Sequence, residues 1–273
     1  MPSLRQKPNR ARGFTLLELA VVVLVVTLLV GGLLVPLATQ VEQRNVTDTQ
    51  LRLAQVQEAL IGFAIANGRF PCPAKVSSPP QPTDLGVEDP PGGGACNHPI
   101  DGYVPGTTLG LTNLDSQGFM VDAWGLQQNR IRYSITPATV NGVLNAFTSV
   151  GGMRSAGLPN LGDSTTYHYL YVCASAAGTT VNACSAIAPP ANDPNALSRG
   201  DAIFVVYSLG KNAATSGGTG ADEALNVKST TNTTPVFVEK TISEQAGSEF
   251  DDLVVWGSRY NVIGRLSATG QLP

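Results

Sequence analysis

The residue whose chemistry stands out is Glu18, a carboxylate at the start of a long apolar run. Residues 19–41 contain no charged side chain, and residues 20–30 are almost wholly aliphatic. A run of about 20 apolar residues is long enough to cross the hydrocarbon core of a bilayer as a helix. An unpaired carboxylate is costly in such a segment, so the position of Glu18 needs an explanation.

A short leader with basic side chains and no acidic one precedes the run; the basic residues are Arg5, Lys7, Arg10 and Arg12. This flank predicts that the leader stays cytoplasmic and that the bulk of the chain lies outside. An ordinary secretory signal would place small residues at a cleavage site after the apolar run, and residues 31–36 contain no good site. A plain signal anchor explains the run but gives no reason for Glu18.

The segment from Gly13 to Glu18 resembles the N-terminal motif of type IV pilins and of the pseudopilins of type II secretion. In those families a short basic leader ends in Gly, and Phe-Thr-Leu-Leu-Glu begins a retained apolar helix, as in residues 13–18 here. The resemblance implies cleavage by prepilin peptidase between Gly13 and Phe14 and N-methylation of the new Phe14 amine. It also implies that Glu18 pairs with the N-terminal amine of a neighbouring subunit.

The helical pattern continues beyond the apolar run. An apolar stripe at helical spacing consists of Leu53, Val56, Leu60 and Phe63. Asn67 and Gly68 form a helix-ending signal, and the prolines that follow prevent continuation. We expect one helix of about 80 Å from Phe14 to Asn67, with a break at Gly31 and Gly32 and a kink at Pro36.

The rest of the chain has the composition of a loop-rich β domain. Residues 71–118 are irregular, and strands are predicted at 130–135, 167–172, 202–207, 235–238 and 253–256. The expected fold is α+β, with a mainly antiparallel sheet covering the long helix, and the resemblance to pilins implies the same fold. The expected organisation is a cleaved leader (1–13), a transmembrane half-helix (14–41), an amphipathic half-helix (42–68) and a disulfide-stapled head (69–273).

Four short motifs in the head resemble a subset of larger pilin-like proteins. They are Phe-Pro-Cys-Pro at 70–73, Asp-Ala-Trp-Gly at 122–125 before Ile-Arg-Tyr at 131–133, Ser-Leu-Gly-Lys-Asn at 208–212 and Asp-Asp-Leu-Val-Val-Trp at 251–256. The chain, with 273 residues, is longer than the usual major pilin. The resemblance therefore favours a minor subunit over an abundant shaft subunit.

The four cysteines lie beyond the apolar run, in a compartment that permits disulfides. Of the three connectivities that four cysteines allow, proximity favours Cys72–Cys96 and Cys173–Cys184. Each bridge would close a loop worth about 3 kcal/mol in the chain-entropy model. The alternative is a zinc site, for which the sequence offers no Cys-x-x-Cys pair and two distant histidines, His98 and His168.

Charge and motif content argue against nucleic-acid binding and against catalysis. The leader holds four of the 17 basic residues and none of the 20 acidic ones, which leaves the mature chain near −7. Residues 210–212 lack the preceding glycine and following hydroxyl of a phosphate-binding loop and predict a turn. His168 is expected on a sheet surface or as a structural histidine.

An acidic cluster near the end of the chain leaves two interpretations open. Asp251 and Asp252, with Glu249 nearby, supply the carboxylate oxygens that calcium prefers, and some major pseudopilins bind calcium near this end of the chain. The interpretation that we favour is a solvated turn leading into a strand, with no cofactor. Trp124 and Trp256 are expected to pack in the core or on a strand face.

Together these observations favour a non-enzymatic minor pilin or pseudopilin. The resemblance implies an inner-membrane protein with one membrane pass and a periplasmic head, which then enters a filament. Its partners would be other pilin subunits, prepilin peptidase and an inner-membrane assembly platform. The alternative is a membrane-anchored periplasmic enzyme or ligand-binding protein whose helix is only an anchor. The sequence does not distinguish a type IV pilus from a type II secretion or DNA-uptake system.

Overall fold

The computed structural model describes residues 15–272 except 76, 78–80, 82, 126–128, 186–192, 214–217, 219 and 246, and describes residues 30–38 by their backbone alone. The predicted leader, Gly13 and Phe14 lie outside the described residues. The chain forms two compact units, Met1–Arg44 and Asn45–Pro273.

The first helix, α1, spans Leu16–Asn67, 52 residues. It continues through Gly31, Gly32 and Pro36, so the break that we expected at the glycine pair does not occur. The kink expected at Pro36 stays a prediction. Among the described residues, no helix combines the length and the apolar character needed to cross a membrane. Of the predicted membrane segment, residue 14 and the side chains of residues 30–38 lie outside the described part of the chain.

In its described residues, the second unit contains the end of α1, a mixed sheet and four short helices. The strands are β1 (Gly102–Tyr103), β2 (Arg132–Ile135), β3 (Leu170–Cys173), β4 (Ala196–Ser208), β5 (Val236–Val238) and β6 (Leu253–Ser258). The helices are α2 (Gly152–Ala156), α3 (Leu158–Leu161), α4 (Ala221–Asn226) and α5 (Arg259–Ala268). The expected α+β class is therefore confirmed, and each predicted strand segment contains or overlaps an observed strand.

Strand β4 is the centre of the sheet. Along one edge it pairs with β3 through its first half and with β2 through its second half, so β2 and β3 lie end to end. Its other edge pairs with β6. The outer strands are β1, antiparallel to β2, and β5, parallel to β3. Among these described pairings four are antiparallel and one is parallel, which agrees with the expected mainly antiparallel sheet.

The alternating side chains of β4 contribute to two apolar clusters. Phe204 and Val206 belong to the larger cluster, together with the buried side of α1, whose members include Leu53, Val56, Leu60, Ile61 and Ala64. Val205 and Tyr207 belong to a second cluster with Phe237 of β5. Burial of both faces explains why residues 202–207 read as a continuous apolar run. Of the predicted stripe on α1, Phe63 is half-buried and the other three residues are fully buried.

Side chains cover the free edge of β5. The Asn226 amide accepts a hydrogen bond from the Val238 N–H (2.8 Å) and donates one to the Val238 carbonyl (2.9 Å), as a neighbouring strand would. The buried Lys228 Nζ donates to the Val236 carbonyl at 2.6 Å. An unprotected edge would invite pairing with another chain, so these contacts close the sheet on this side.

The helix α5 was not predicted from the sequence. Its N-cap is Ser258, whose side chain accepts a hydrogen bond from the Asn261 N–H, and it buries Val262 and Leu266 one turn apart. The capping residue and the i, i+4 apolar pair would have been enough to predict this helix. The predicted helix end is present at Gly68, which has a φ of +67° and donates from its N–H to the Ala64 carbonyl at 2.9 Å.

The structure forms the two disulfides that proximity favours, Cys72–Cys96 and Cys173–Cys184. The irregular segment closed by Cys72–Cys96 is held at a second point by a buried ion pair between Arg69 and Glu88. Two 2.8 Å contacts join the guanidinium to both carboxylate oxygens. Glu88 also accepts hydrogen bonds from the Cys72 and Gly92 N–H groups. Breaking such a pair would leave a buried charge uncompensated.

Removal of the first disulfide by Cys72→Ser with Cys96→Ser should lower the free energy of unfolding by about 3 kcal/mol. The loss of amide protection should be concentrated in residues 71–118, because this segment has little apolar content of its own. Hydrogen–deuterium exchange of the purified chain measures both effects. The control is Cys173→Ser with Cys184→Ser, which should loosen the end of β3 instead. Equal loosening of the sheet in both variants would contradict this prediction.

Candidate functional site

The described part of the N-terminal segment begins with a capping box between Thr15 and Glu18. The Thr15 N–H and hydroxyl donate to Glu18 Oε2 at 3.0 and 3.1 Å, and the Glu18 N–H donates to Thr15 Oγ1 at 3.2 Å. This exchange satisfies helix N-terminal donors that would otherwise have no partner. Thr-x-x-Glu before an apolar run is the known signature of a capping box, so this role of Glu18 could have been predicted from the sequence. The carboxylate thus lies at the start of α1, close in sequence to the Gly13–Phe14 bond.

The helix that follows Glu18 has exposed apolar side chains on all sides within its unit. Every described side chain from 15 to 29 is exposed, with Leu16 at 88% and Leu28 at 69%. A helix that is apolar all round is normally buried in lipid or between other helices. Contiguous exposed apolar surface of this kind marks an interaction site. The side chains of this segment therefore require a partner that their own unit does not supply.

In the head, two of the motifs noted in the sequence meet at the buried Asp122. Its Oδ2 accepts hydrogen bonds from the Ser208 hydroxyl at 2.6 Å and from the Asn129 amide at 3.0 Å. The same amide donates to the Gly210 carbonyl at 2.6 Å. Burial raises the pKa of Asp122, and the hydrogen bonds from Ser208 and Asn129 oppose that rise. Polar pairing thus joins the loop at residues 122–125 to the end of β4.

Helix α1 fixes the other side of that loop. Arg52 Nη1 donates to the carbonyls of Val121 and Asp122 at 2.9 and 2.6 Å. The hydroxyl of Thr49, which is fully buried, accepts from the Ala123 N–H at 3.0 Å. These contacts use polar side chains on the buried side of α1, so the helix end and the loop pack as one structure. Trp124, next in the loop, is half-buried against the main cluster, as expected of a core aromatic.

The acidic residues noted near the end of the chain are buried, which corrects the expectation of a solvated turn. Asp251 and Asp252 are 7% and 1% exposed, and the buried Glu223 of α4 lies beside them. Glu223 Oε1 accepts from the Asp251 N–H at 3.0 Å, and Asp252 Oδ2 accepts from the Asn226 amide at 2.8 Å. Glu249, by contrast, is exposed. The turn interpretation failed because α4 supplies a third acid from a distant part of the sequence.

The close packing of the chain at residue 210 against Asp251 requires a glycine at that position. Gly210 has a φ of +63°, and an added Cβ would lie 2.4 Å from the Asp251 carbonyl oxygen. Within the described part of the chain, Asp251 Oδ1, Asp252 Oδ1 and Glu223 Oε2 are buried without a hydrogen-bond partner. Burial, and then the neighbouring Glu223, raise the pKa of Asp251 to about 6. Burial raises the pKa of Asp252 well above its ordinary value. This cluster therefore favours a bound proton.

Metal and phosphate sites gain no support from the geometry. Among the residues that the structure describes, no group of three or more His, Cys, Asp or Glu side chains could hold a metal ion. Lys211 makes a surface ion pair with Glu244 at 2.9 Å, and Asn212 N–H donates to Asp251 Oδ2 at 3.2 Å. His168 is exposed just before β3. Trp256 is half-buried and donates to Glu239 at 2.8 Å, as expected of a strand-face aromatic.

Comparison with known proteins addresses the N-terminal segment. The model of the prokaryotic N-terminal methylation motif matches residues 8–34. The chain carries an N-terminal methylation motif. This match includes Gly13, Phe14 and Glu18 and agrees with the resemblance to type IV pilins and pseudopilins. Proteins with this motif are generally structural rather than enzymatic. The comparisons with curated proteins and with solved structures gave no match.

The acid cluster predicts an unusual dependence of stability on pH. Because the pKa of Asp251 rises from 3.8 to about 6 on folding, the folded state binds more protons than the unfolded state between these values. Stability from this group is therefore present at low pH and is lost as the pH rises through about 6. Asp251→Asn should flatten the profile in this window and raise the melting temperature at neutral pH. Thermal unfolding across the window measures both.

The matched control for that measurement is Glu249→Gln, which removes an exposed carboxylate two residues away. Its profile should follow that of the wild type. Parallel profiles for the wild type and Asp251→Asn would show that Asp251 does not retain a proton in the folded chain.

Proposed function

We propose that the mature chain is a minor pilin or pseudopilin, a structural subunit that assembles with other pilins through its N-terminal helix. The observation that supports this most is the continuity of the methylation motif with a helix whose described side chains from 15 to 29 are all exposed. Lipid would cover this surface before assembly, and the helices of neighbouring subunits would cover it in a filament. The same helix then contributes a one-sided buried face to the head.

In this proposal prepilin peptidase cuts between Gly13 and Phe14, and the new Phe14 amine is methylated. The basic leader would hold the cleavage site on the cytoplasmic side of the inner membrane and leave the head in the periplasm. An assembly platform in the inner membrane would then move the subunit into a filament. Two disulfides in the head suit an oxidising compartment.

Glu18 would pair with the N-terminal amine of a neighbouring subunit. Such a pair offsets the cost of a carboxylate in an apolar environment, because the partner charge arrives with assembly. The capping box gives Glu18 a second, local role in starting α1. The two roles differ in one respect: capping needs an acceptor oxygen, whereas pairing needs a negative charge.

The alternative function is a membrane-anchored periplasmic enzyme or ligand-binding protein. It needs no leader cleavage at Gly13 and no special role for Glu18. Processing and assembly therefore separate the two proposals.

The first test concerns processing. The mature protein should lack residues 1–13 and carry one added methyl group, which intact-mass measurement of the membrane-extracted chain detects. Gly13→Val should leave the leader attached, because a β-branched residue replaces the smallest one at the cleaved bond. A wild-type protein that keeps its leader would exclude the pilin proposal.

The second test concerns the charge of Glu18. Glu18→Gln keeps an acceptor for the capping box but removes the charge, and Glu18→Leu removes both. We expect both variants to be made, processed and held in the inner membrane, and neither to enter sheared filaments or to co-purify with other pilins. Immunoblots of the membrane and sheared fractions measure this.

The control for that test is Glu42→Leu, which removes an acid beyond the apolar run and should be incorporated normally. If Glu18→Gln is incorporated like the wild type and Glu18→Leu is not, capping rather than pairing is the role of Glu18. If all three variants behave alike, Glu18 has no special role and the anchor alternative is favoured.

A further inference from the structure

The arrangement of β2 and β3 leaves an open groove in the head. Both strands pair with the same edge of β4, and the groove lies where β2 ends and β3 begins. Its volume is about 540 Å³, within the range of small-molecule sites. Its apolar lining includes Ile100, Leu170 and Pro235, and its polar lining includes His168, Tyr171 and Asn182. All of these residues belong to the second unit.

Two aromatic rings form one wall of the groove. The rings of His168 and Tyr171 are 6.4 Å apart between centroids and tilted by 32°. Tyr171 packs against the backbone of Gly200 in β4, where φ is +79° and an added Cβ would lie 3.1 Å from the Tyr171 Cζ. A larger residue at position 200 would displace the ring. Glycine at position 200 therefore leaves room for the Tyr171 ring at this wall of the groove.

Apart from the imidazole of His168, the polar side chains that line the groove are neutral amides and hydroxyls. Among the described residues that line it, none is Asp, Glu, Lys or Arg. His168, Asn182 and Thr233 are exposed, and within the described chain no hydrogen bond occupies their side chains. Amide, imidazole and hydroxyl groups can donate and accept hydrogen bonds. This lining suits a neutral ligand that presents hydroxyl groups, rather than a phosphate or a charged peptide end.

Several backbone groups along the groove are not available to an added peptide strand. The N–H groups of Thr136, Tyr169 and Tyr171 already donate to the carbonyls of Ile203, Gly200 and Pro235. Two further lining residues, Pro137 and Pro235, have no N–H group. Recognition by strand addition depends on free main-chain groups. The groove therefore favours binding through ring faces and side chains.

We propose that this groove binds a neutral saccharide. A sugar ring has an apolar C–H face, which can stack on Tyr171 and His168, and an edge of hydroxyl groups, which can pair with Asn182, His168 and Thr233. This combination matches a site with an apolar floor and a few polar groups that set orientation. The proposal does not depend on filament assembly, and assembly does not enter its test.

The experiment is saturation-transfer-difference NMR on the full chain in a detergent without a sugar headgroup. The probes are cellotriose, maltotriose and the trimer of N-acetylglucosamine, all neutral. At least one should receive saturation on its ring protons. Tyr171→Ala should weaken the apparent affinity for that sugar about tenfold, which corresponds to about 1.4 kcal/mol. His168→Ala should also weaken it, and this variant alters an exposed side chain that the fold does not need.

The matched control is Tyr260→Ala, which removes a tyrosine on α5 that is 62% exposed. It should leave the saturation transfer unchanged. Thermal unfolding of each variant identifies loss of fold, and His168→Ala decides the matter if Tyr171→Ala unfolds. The proposal is overturned if none of the three sugars receives saturation, or if Tyr260→Ala has the same effect as His168→Ala. Binding of a proline-rich peptide that requires Tyr171, with no sugar binding, would assign the groove to a peptide.

Discussion

The head depends on one constraint: β4 must be hydrogen-bonded along both edges while both of its faces are buried. Its backbone groups form hydrogen bonds with β2 and β3 along one edge and with β6 along the other. Its side chains alternate between the cluster against α1 and the cluster against β5. A polar side chain without a partner at residues 202–206 would be costly, because this part of the strand is buried on both faces. The apolar run at residues 202–207 is therefore the part of the sequence that the rest of the head is built around.

Charged residues at the margins of this sheet are buried with partners, and they set how the loops attach. Arg259 is fully buried at the start of α5, where its Nε lies 2.8 Å from Asp201 and its Nη2 donates to the carbonyls of Tyr167 and Gly200. These contacts fix α5 to β4 and to the segment leading into β3. Because β3 begins close to Gly200, the same contacts also help to fix where β3 starts along the edge of β4, beyond the end of β2. The groove is thus a consequence of how two strands share one edge of β4.

Local patterns in the sequence were sufficient to predict the α+β class, the end of α1 at Gly68, the strand segments and the pairing of neighbouring cysteines. Each of these depends on residues close together in the chain. The features that were missed depend on distant residues. Glu223 joins Asp251 and Asp252 from another element, and the groove combines residues 100, 136–138, 168–171, 182, 233 and 235. Two other features that were missed, the capping box at Thr15 and the start of α5 at Ser258, depend on neighbouring residues and could have been predicted from the sequence.

Glu18 combines a local and an assembly requirement in one carboxylate. In the chain as described, the Thr15 N–H and hydroxyl occupy its Oε2. In the proposed mature chain, Phe14 would carry a free amine one residue from that N–H, and the same carboxylate would be near a positive charge of its own subunit. Hydrogen bonds to an ionised donor are stronger than neutral ones. Pairing with a neighbour's amine must therefore compete with contacts inside the subunit. Packed helices would exclude water from the amine, and this exclusion would favour the pair between subunits.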